Sequence, residues 1–301
     1  MDPFHLDCDT GIDDALALAL LLGHPRVTLA AVGTVSGNTS AGQAARNTLD
    51  LLALAGRDDV PVAVGAHHPL GGSYAGGATR VHGGNGIGGI AVPRAARMPA
   101  DGDAAGLLIE AARRHPGELR VVATGPLTNL ALALRREPEL TTLVRDVTVM
   151  GGAVRVPGNI TGHAEANIAN DPAAAAEVLG APWPVTLVPL DVTMRHRFGE
   201  PDRAALAARG TALTAALAAM LVAYLDHYEA RLGERRVPLH DPLAAGIATR
   251  DLHPLDAPML GLRVGPDGRL TEDAAARRRT RVVLSLTGDA APVIRRLTLG
   301  I

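Results

Sequence analysis

Leu6-Asp7-Cys8-Asp9-Thr10-Gly11-Ile12-Asp13-Asp14 sets four carboxylates within eight residues, at a point where the chain changes its periodicity. Residues 2–6 read as a short strand running into a turn, and Gly11 tolerates backbone conformations that other residues resist. From Ala15 to Leu22 the chain is an apolar run suited to a buried helix. On an extended segment Asp7 and Asp9 point to one side, because side chains alternate with period two. Asp13 and Asp14 fall in the first helical turn, where the helix dipole favours negative charge. The four carboxylates therefore converge at the end of a strand. An N-capping pair on an ordinary helix would account for one or two of them. Four like charges need solvent, a cation or the hydroxyls of a substrate to absorb their repulsion.

Outward from this stretch, strand-like and helix-like segments alternate. Strands are expected at Val27–Val35, Val60–Val64, Leu119–Ala123, Asp146–Met150 and Val185–Val188. Helices are expected at Ala41–Ala55, Pro126–Arg136 (proline near its start), Asp171–Leu179 and Thr211–Leu225. Near-continuous apolar strands separated by helices predict an α/β fold: one mostly parallel, Rossmann-like open sheet with helices on both faces. No repeat or composition shift divides the chain, so residues 1–301 read as a single domain. Two segments break the rhythm and are expected as loops able to cover a site: the glycine-rich 71–90 and the charged 224–239.

Composition narrows the function. The chain has 301 residues, 47% of them hydrophobic, and a formal net charge of −2. So balanced a charge argues against nucleic acid or an anionic membrane surface as partner. All 29 basic residues are arginine, and aromatics make up 2%, which leaves the core to Ala, Val and Leu. The lone Cys8 fits a reducing compartment, and with no leader-like start the expectation is a cytoplasmic protein. Cys8 itself faces away from Asp7 and Asp9, among acidic neighbours that disfavour a thiolate. The longest apolar helix, near Thr211–Leu225, falls short of the ~20 residues a membrane span needs.

In an open α/β sheet, ligands bind beyond the carboxyl ends of the strands. The polar residues gather there. Gly37-Asn38 follows the second strand, Thr124-Gly125 a later one, and Gly151-Gly152 leads to Asn159, Glu165 and Asn167, while His240-Asp241 opens a late helix. Clustered carboxylates without a Cys/His set make an oxygen-rich site for a hard cation. With no Gly-Lys-[Ser/Thr] phosphate loop in the chain, Ca²⁺ is expected over Mg²⁺.

The stretch Asp7-Cys8-Asp9-Thr10-Gly11-Ile12-Asp13-Asp14-Ala15 resembles the amino-terminal signature of the inosine–uridine-preferring nucleoside hydrolases. Gly37-Asn38, His82-Gly83, Ala123 to Asn129, Met150-Gly151-Gly152, Glu165-Ala166-Asn167 and His240-Asp241-Pro242 follow in matching order. The resemblance implies Ca²⁺-dependent hydrolysis of the N-glycosidic bond of ribonucleosides. One Ca²⁺ per subunit would be held by Asp9, Asp14, Asp241 and the carbonyl of Thr124. Asp9 would be the general base for a water. Asp13, Asn38 and Asn167 would bind ribose hydroxyls, and Asn159 and Glu165 the 5′-hydroxyl. His240 would aid the departing base by protonation, directly or through a relay, and Asp7 would orient its neighbours from behind. His82 is a candidate substrate contact, and Tyr228, with Tyr224, a candidate stacking surface for the base. The expected partner is a small nucleoside, and the expected assembly a homodimer or homotetramer. Thr10 stands where the family commonly has proline, and Ala166 where it commonly has an aromatic.

Two other readings share the opening stretch. Asp7-Cys8-Asp9-Thr10 also looks like the first motif of haloacid-dehalogenase-type phosphatases, but these use a downstream basic residue, usually lysine, and the chain has none. A non-catalytic Ca²⁺-dependent ribose-binding protein would share the metal site and need no base.

Overall fold

The computed structural model describes residues 1–300. Its centre is an eight-stranded sheet. Six strands are β1 (Asp2–Cys8), β2 (Val27–Thr34), β3 (Val62–Val64), β4 (Leu119–Ala123), β5 (Val144–Met150) and β6 (Val185–Val188). The order across the sheet is Met259–Leu260, Thr280–Val282, β6, β5, β4, β1, β2, β3. Every pairing is parallel except that of the edge strand Met259–Leu260.

Alternation along the strands supplies two cores. Leu6, Val122, Met150 and Val188 face one side, packed with α1 (Ile12–Gly23) and the helices Ala212–Leu232, His240–Ala248 and Ala291–Thr298. Val121, Val147, Val149 and Leu187 face the other, under the helices Ala104–Arg114, Thr128–Arg136 and Pro172–Gly180. A helix buried all round needs no polar stripe. α1 is such a helix, with Ile12 to Leu21 continuously buried. Each fully buried Leu or Val is worth roughly 1.5–3 kcal/mol, so this first helix is strongly anchored.

The connection from β1 through α1 goes to β2, whereas β4 leads to β5 on the opposite side. The strand order therefore reverses between β1 and β4, and a crevice opens above their carboxyl ends. The two ends are tied together: the Thr124 N–H donates to the Asp7 carbonyl at 2.8 Å.

The expected α/β fold and six of its strands are observed, with ends displaced by at most a few residues. One expectation is corrected. Segment 224–239 is mainly not a loop: the helix expected to end at Leu225 runs to Leu232, and Arg236–Pro238 pairs with Arg197–Gly199. Its charges misled because they form the helix's solvated face. Arg235 folds back onto Asp226 and Glu229. Gly233, at φ 74°, ends the helix in the left-handed conformation. Segment 71–90 is irregular apart from the single turn Thr79–His82. No helix among the described residues is long and apolar enough to cross a membrane.

Candidate active site

The floor of the crevice is built at the end of β1. Asp7 lies near the end of the strand and Asp9 just beyond it, and the two carboxylates take different partners. Asp7 is 1% exposed and accepts from Asn129 Nδ2 at 3.0 Å, so it braces the segment after β4 rather than another carboxylate. Cys8 faces the opposite way, its Sγ 3.3 Å from Thr10 Oγ1, and burial followed by the charge of Asp14 pushes its thiol well up. Asp9 is held by Asn38: the backbone N–H donates to Oδ2 at 2.6 Å and the side-chain amide to Oδ1 at 3.2 Å. The approach requires glycine at position 37, since a Cβ there would lie 2.0 Å from Asp9 Oδ2.

Asp14 caps its own helix, accepting from the Gly11 N–H at 2.8 Å, and also accepts from Thr124 Oγ1 at 2.7 Å. Asn38 Nδ2 reaches Asp14 Oδ2 at 3.1 Å, so one amide bridges Asp9 and Asp14. Asp13, Asp14 and Asp241 bring ligand atoms within 4.8 Å of one another. Asp13 Oδ1 is buried without a hydrogen-bond partner, while Tyr224 donates to Oδ2 at 3.2 Å. The cluster of three thus holds Asp13 where the sequence reading placed Asp9. Both Asp9 oxygens are engaged by Asn38, and the Thr124 carbonyl accepts from Asn167 Nδ2 at 2.7 Å.

Electrostatics follows from this crowding. Burial pushes Asp13 and Asp14 up to about 6, and for Asp14 the charge of Asp13 adds to the push. Asp9 and Asp241 are raised well above the usual carboxylate range, first by burial, then by Asp14 and Asp13 respectively. Buried carboxylates this close cannot all ionise without a compensating positive charge. The unpartnered Asp13 oxygen and the all-oxygen donor set fit a hard divalent cation.

The walls come from distant elements. His240 starts its helix with Nδ1 2.9 Å from Thr193 Oγ1 and Nε2 3.3 Å from the Tyr228 hydroxyl. Burial, followed by the charge of His82, brings His240 down to about 3. Burial likewise brings His82 down to about 4, and its Nδ1 accepts from the Ile12 N–H at 3.1 Å, which leaves the ring proton on Nε2. Glu165 caps the helix Ala166–Asn170, accepting from the N–H groups of Gly152, Asn167 and Ile168 at 2.8, 2.9 and 3.2 Å. Asn159 Oδ1 accepts from the Ala166 N–H at 3.0 Å.

A profile for "Inosine-uridine preferring nucleoside hydrolase" matches residues 4–292. The chain belongs to this family. It is 38% identical to the pyrimidine-specific ribonucleoside hydrolase RihA of Citrobacter koseri, over 80% of this chain and 77% of that protein. It is 36% identical to uridine nucleosidase 1 of Arabidopsis thaliana, over 79% of this chain and 71% of the other. Among solved structures, a purine-preferring ribonucleoside hydrolase from Gardnerella vaginalis superposes with a TM-score of 0.91 at 30% identity, covering 99% of this chain and 97% of that one. The protein is therefore an N-glycosidase of ribonucleosides.

In this nucleoside hydrolase one pocket gathers Asp13, Asn38, His82, Thr124, Asn159, Glu165, Asn167, Tyr228, His240 and Asp241. Asp9 and Asp14, each 1% exposed, lie beneath its floor. Tyr224 does not offer a stacking face as expected: at 1% exposure it turns its hydroxyl to Asp13, and its ring meets that of Tyr228 edge-on at 5.1 Å. Tyr228 keeps 7% exposure at the pocket wall. Sequence reasoning missed Arg231 at the pocket mouth and Thr193 behind His240. Arg231 carried a signal, since Tyr224, Tyr228 and Arg231 recur at helical spacing on one face. Thr193 carried none, lying 47 residues from the histidine it orients.

Proposed function

We propose that the protein hydrolyses ribonucleosides with one Ca²⁺ held by Asp9, Asp14, Asp241 and the Thr124 carbonyl. Asn38 and Asn167 would release these oxygens from their present hydrogen bonds. The observation that carries the reading is the convergence of buried carboxylates, their acidities suppressed, at the reversal of strand order between β1 and β4. When bound, the cation supplies positive charge that acidifies a water and holds vicinal hydroxyls. Asp9 removes the proton of the attacking water. Asp13, Asn38 and Asn167 take ribose hydroxyls, and Asn159 and Glu165 take the 5′-hydroxyl. The surrounding carboxylates favour the oxocarbenium-like charge that develops on the sugar as the bond to the base breaks. Attack opposite the base inverts the anomeric centre without a covalent intermediate.

His240 acts as a relay rather than a stored acid. With its acidity at about 3, the imidazole is neutral at physiological pH, so a proton reaching the base passes along the contacts of His240 with Thr193 and Tyr228. The base preference we assign is pyrimidine, because the relatives at 36% and 38% identity are a uridine nucleosidase and a pyrimidine-specific ribonucleoside hydrolase. By family membership we assign a homodimer or homotetramer, which light scattering tests. The phosphatase alternative needs Asp7 as an exposed nucleophile, whereas Asp7 is 1% exposed and bonded to Asn129.

A reducing-sugar assay across uridine, cytidine, inosine, adenosine and guanosine, with and without a chelator, tests the reading. Uridine or cytidine should turn over fastest, and chelation should abolish turnover. Undiminished activity after exhaustive chelation would sink the metal assignment, and faster turnover of inosine would sink the base preference.

A further inference from the structure

The amino-terminal halves of the same strands carry a second polar cleft. Strands of a parallel sheet covered on both faces normally present apolar side chains. Here one face presents polar residues in register across four strands. Arg120 on β4 pairs with Asp146 on β5, Thr148 on β5 with Thr186 on β6, and Thr186 with Arg281. These residues and Arg250 line a cleft of about 360 Å³, a size typical of small-molecule sites. None of them lines the active-site pocket.

Arg120 is the telling member. Its side chain is 3% exposed. Nη1 donates to Asp146 Oδ2 at 2.6 Å, and Nε lies 3.6 Å from Asp2 Oδ2. Nη2 is buried with no hydrogen-bond partner. An unpaired buried donor on a charged group is costly and calls for a partner. Burial pushes the guanidinium below its usual value, and the charges of Arg250 and Arg145 add to the push against Asp146. Three guanidiniums, Arg120, Arg250 and Arg281, line the cleft with one carboxylate, Asp146, while Asp2 approaches Arg120 from outside the lining. Asp146 holds Arg120 through Nη1 and Asp2 lies near Nε, which leaves Nη2 as the donor without an acceptor. Several guanidiniums with hydroxyl neighbours in one cleft suit a multidentate oxyanion.

We propose that this cleft binds a phosphate-type oxyanion, either free inorganic phosphate or the phosphoryl group of a small ester, remote from the hydrolytic site. Arg250 and Arg281 are exposed, so replacing both tests the site without disturbing the core. The experiment titrates the full-length protein calorimetrically with inorganic phosphate and, separately, with ribose 5-phosphate. Both titrations run at fixed ionic strength, for wild type and for Arg250→Ala/Arg281→Ala. Saturable binding that weakens at least about tenfold in the double variant, with uridine hydrolysis unchanged, is the expected result. Equal affinity for both probes assigns the site to free phosphate, and binding of the ester alone assigns it to an ester. No saturable binding of either probe, or equal affinity in wild type and variant, overturns the proposal. So does silence toward both probes with a change of mass in the double variant by light scattering, which would mean that a second copy of the chain fills the cleft.

Discussion

Replacing Asp13 with asparagine should stabilise the protein when no cation is present. Burial lifts this carboxyl from 3.8 to about 6, against the hydrogen bond from Tyr224. A carboxyl whose folded value is raised contributes stability that is fully present below 3.8 and lost as the pH climbs through about 6. A rise of that size corresponds to roughly 3 kcal/mol of preference for the protonated form at neutral pH. Asp14 is raised to a similar value by burial and by Asp13 itself, so the two penalties belong to the pair and do not simply add. Asparagine removes one charge. It can keep its oxygen on the Tyr224 hydroxyl and turn its NH₂ to the place of the unpartnered Oδ1. Urea denaturation in excess chelator should therefore show D13N more stable than wild type by about 1–3 kcal/mol at pH 7.5. Most of that advantage should vanish at pH 4.5. Saturating Ca²⁺ should reverse the order, since ligand at 100 times its dissociation constant stabilises by about 2.7 kcal/mol and the variant binds it less well. Equal stability at pH 7.5 in chelator, or an advantage of the same size at both pH values, would refute the charge-crowding account.

Three further outcomes are expected. Asp9→Asn should lower kcat by roughly 10²–10⁴-fold, the usual worth of a general base, while ribose protection of the fold against heat persists; a loss under tenfold would remove Asp9 from that role. Thr193→Val frees His240 Nδ1 from its 2.9 Å partner and should cost about tenfold in kcat at nearly constant KM, read from steady-state kinetics on uridine. Asp103→Ala removes the N-cap of the helix Ala104–Arg114, whose carboxylate accepts from the Gly106 N–H at 2.8 Å, and should cost about 1 kcal/mol at pH 7 by chemical denaturation. Arg136 holds this carboxylate below its ordinary value, so the difference from wild type should be present above the unfolded value and shrink as the pH falls through the folded one.

Much of the site was legible because the chain writes it in local patterns. A strand, a turn and an apolar helix around Asp7 to Asp14 fix where those side chains go. Residues following β2, β4 and β5 arrive at the same edge because parallel strands end together. The partners of these carboxylates were not legible. Period two puts Asp7 and Asp9 on one side, yet Asn129 takes Asp7 while Asn38 takes Asp9. That choice depends on residues 122 and 29 positions away, respectively. The end of the chain was opaque for another reason: its sheet strands, Met259–Leu260 and Thr280–Val282, are two and three residues long, too short for alternation to register. The run Tyr224–Leu232 misled because charged residues mark a solvated helix face as readily as a loop.

The two polar regions of this sheet break the same rule in opposite senses. A covered parallel strand should be apolar along its length, yet β1 carries Asp7 near its carboxyl end and β4 carries Arg120 near its amino end. At the carboxyl ends the excess charge is negative, gathered by Asp13, Asp14 and Asp241. At the amino-terminal halves it is positive, gathered by Arg120, Arg250 and Arg281. Asp146 and Asp2 offset part of the positive excess, yet each region retains a buried polar atom without a partner, Asp13 Oδ1 in one and Arg120 Nη2 in the other. Charges of this kind weaken a folded chain, and the two apolar cores flanking the sheet supply the stability that lets it carry them. A sheet that keeps such groups at both ends fits the two ligands of opposite charge proposed above: a cation with its sugar above β1 and β4, and an oxyanion at the other end of β4, β5 and β6.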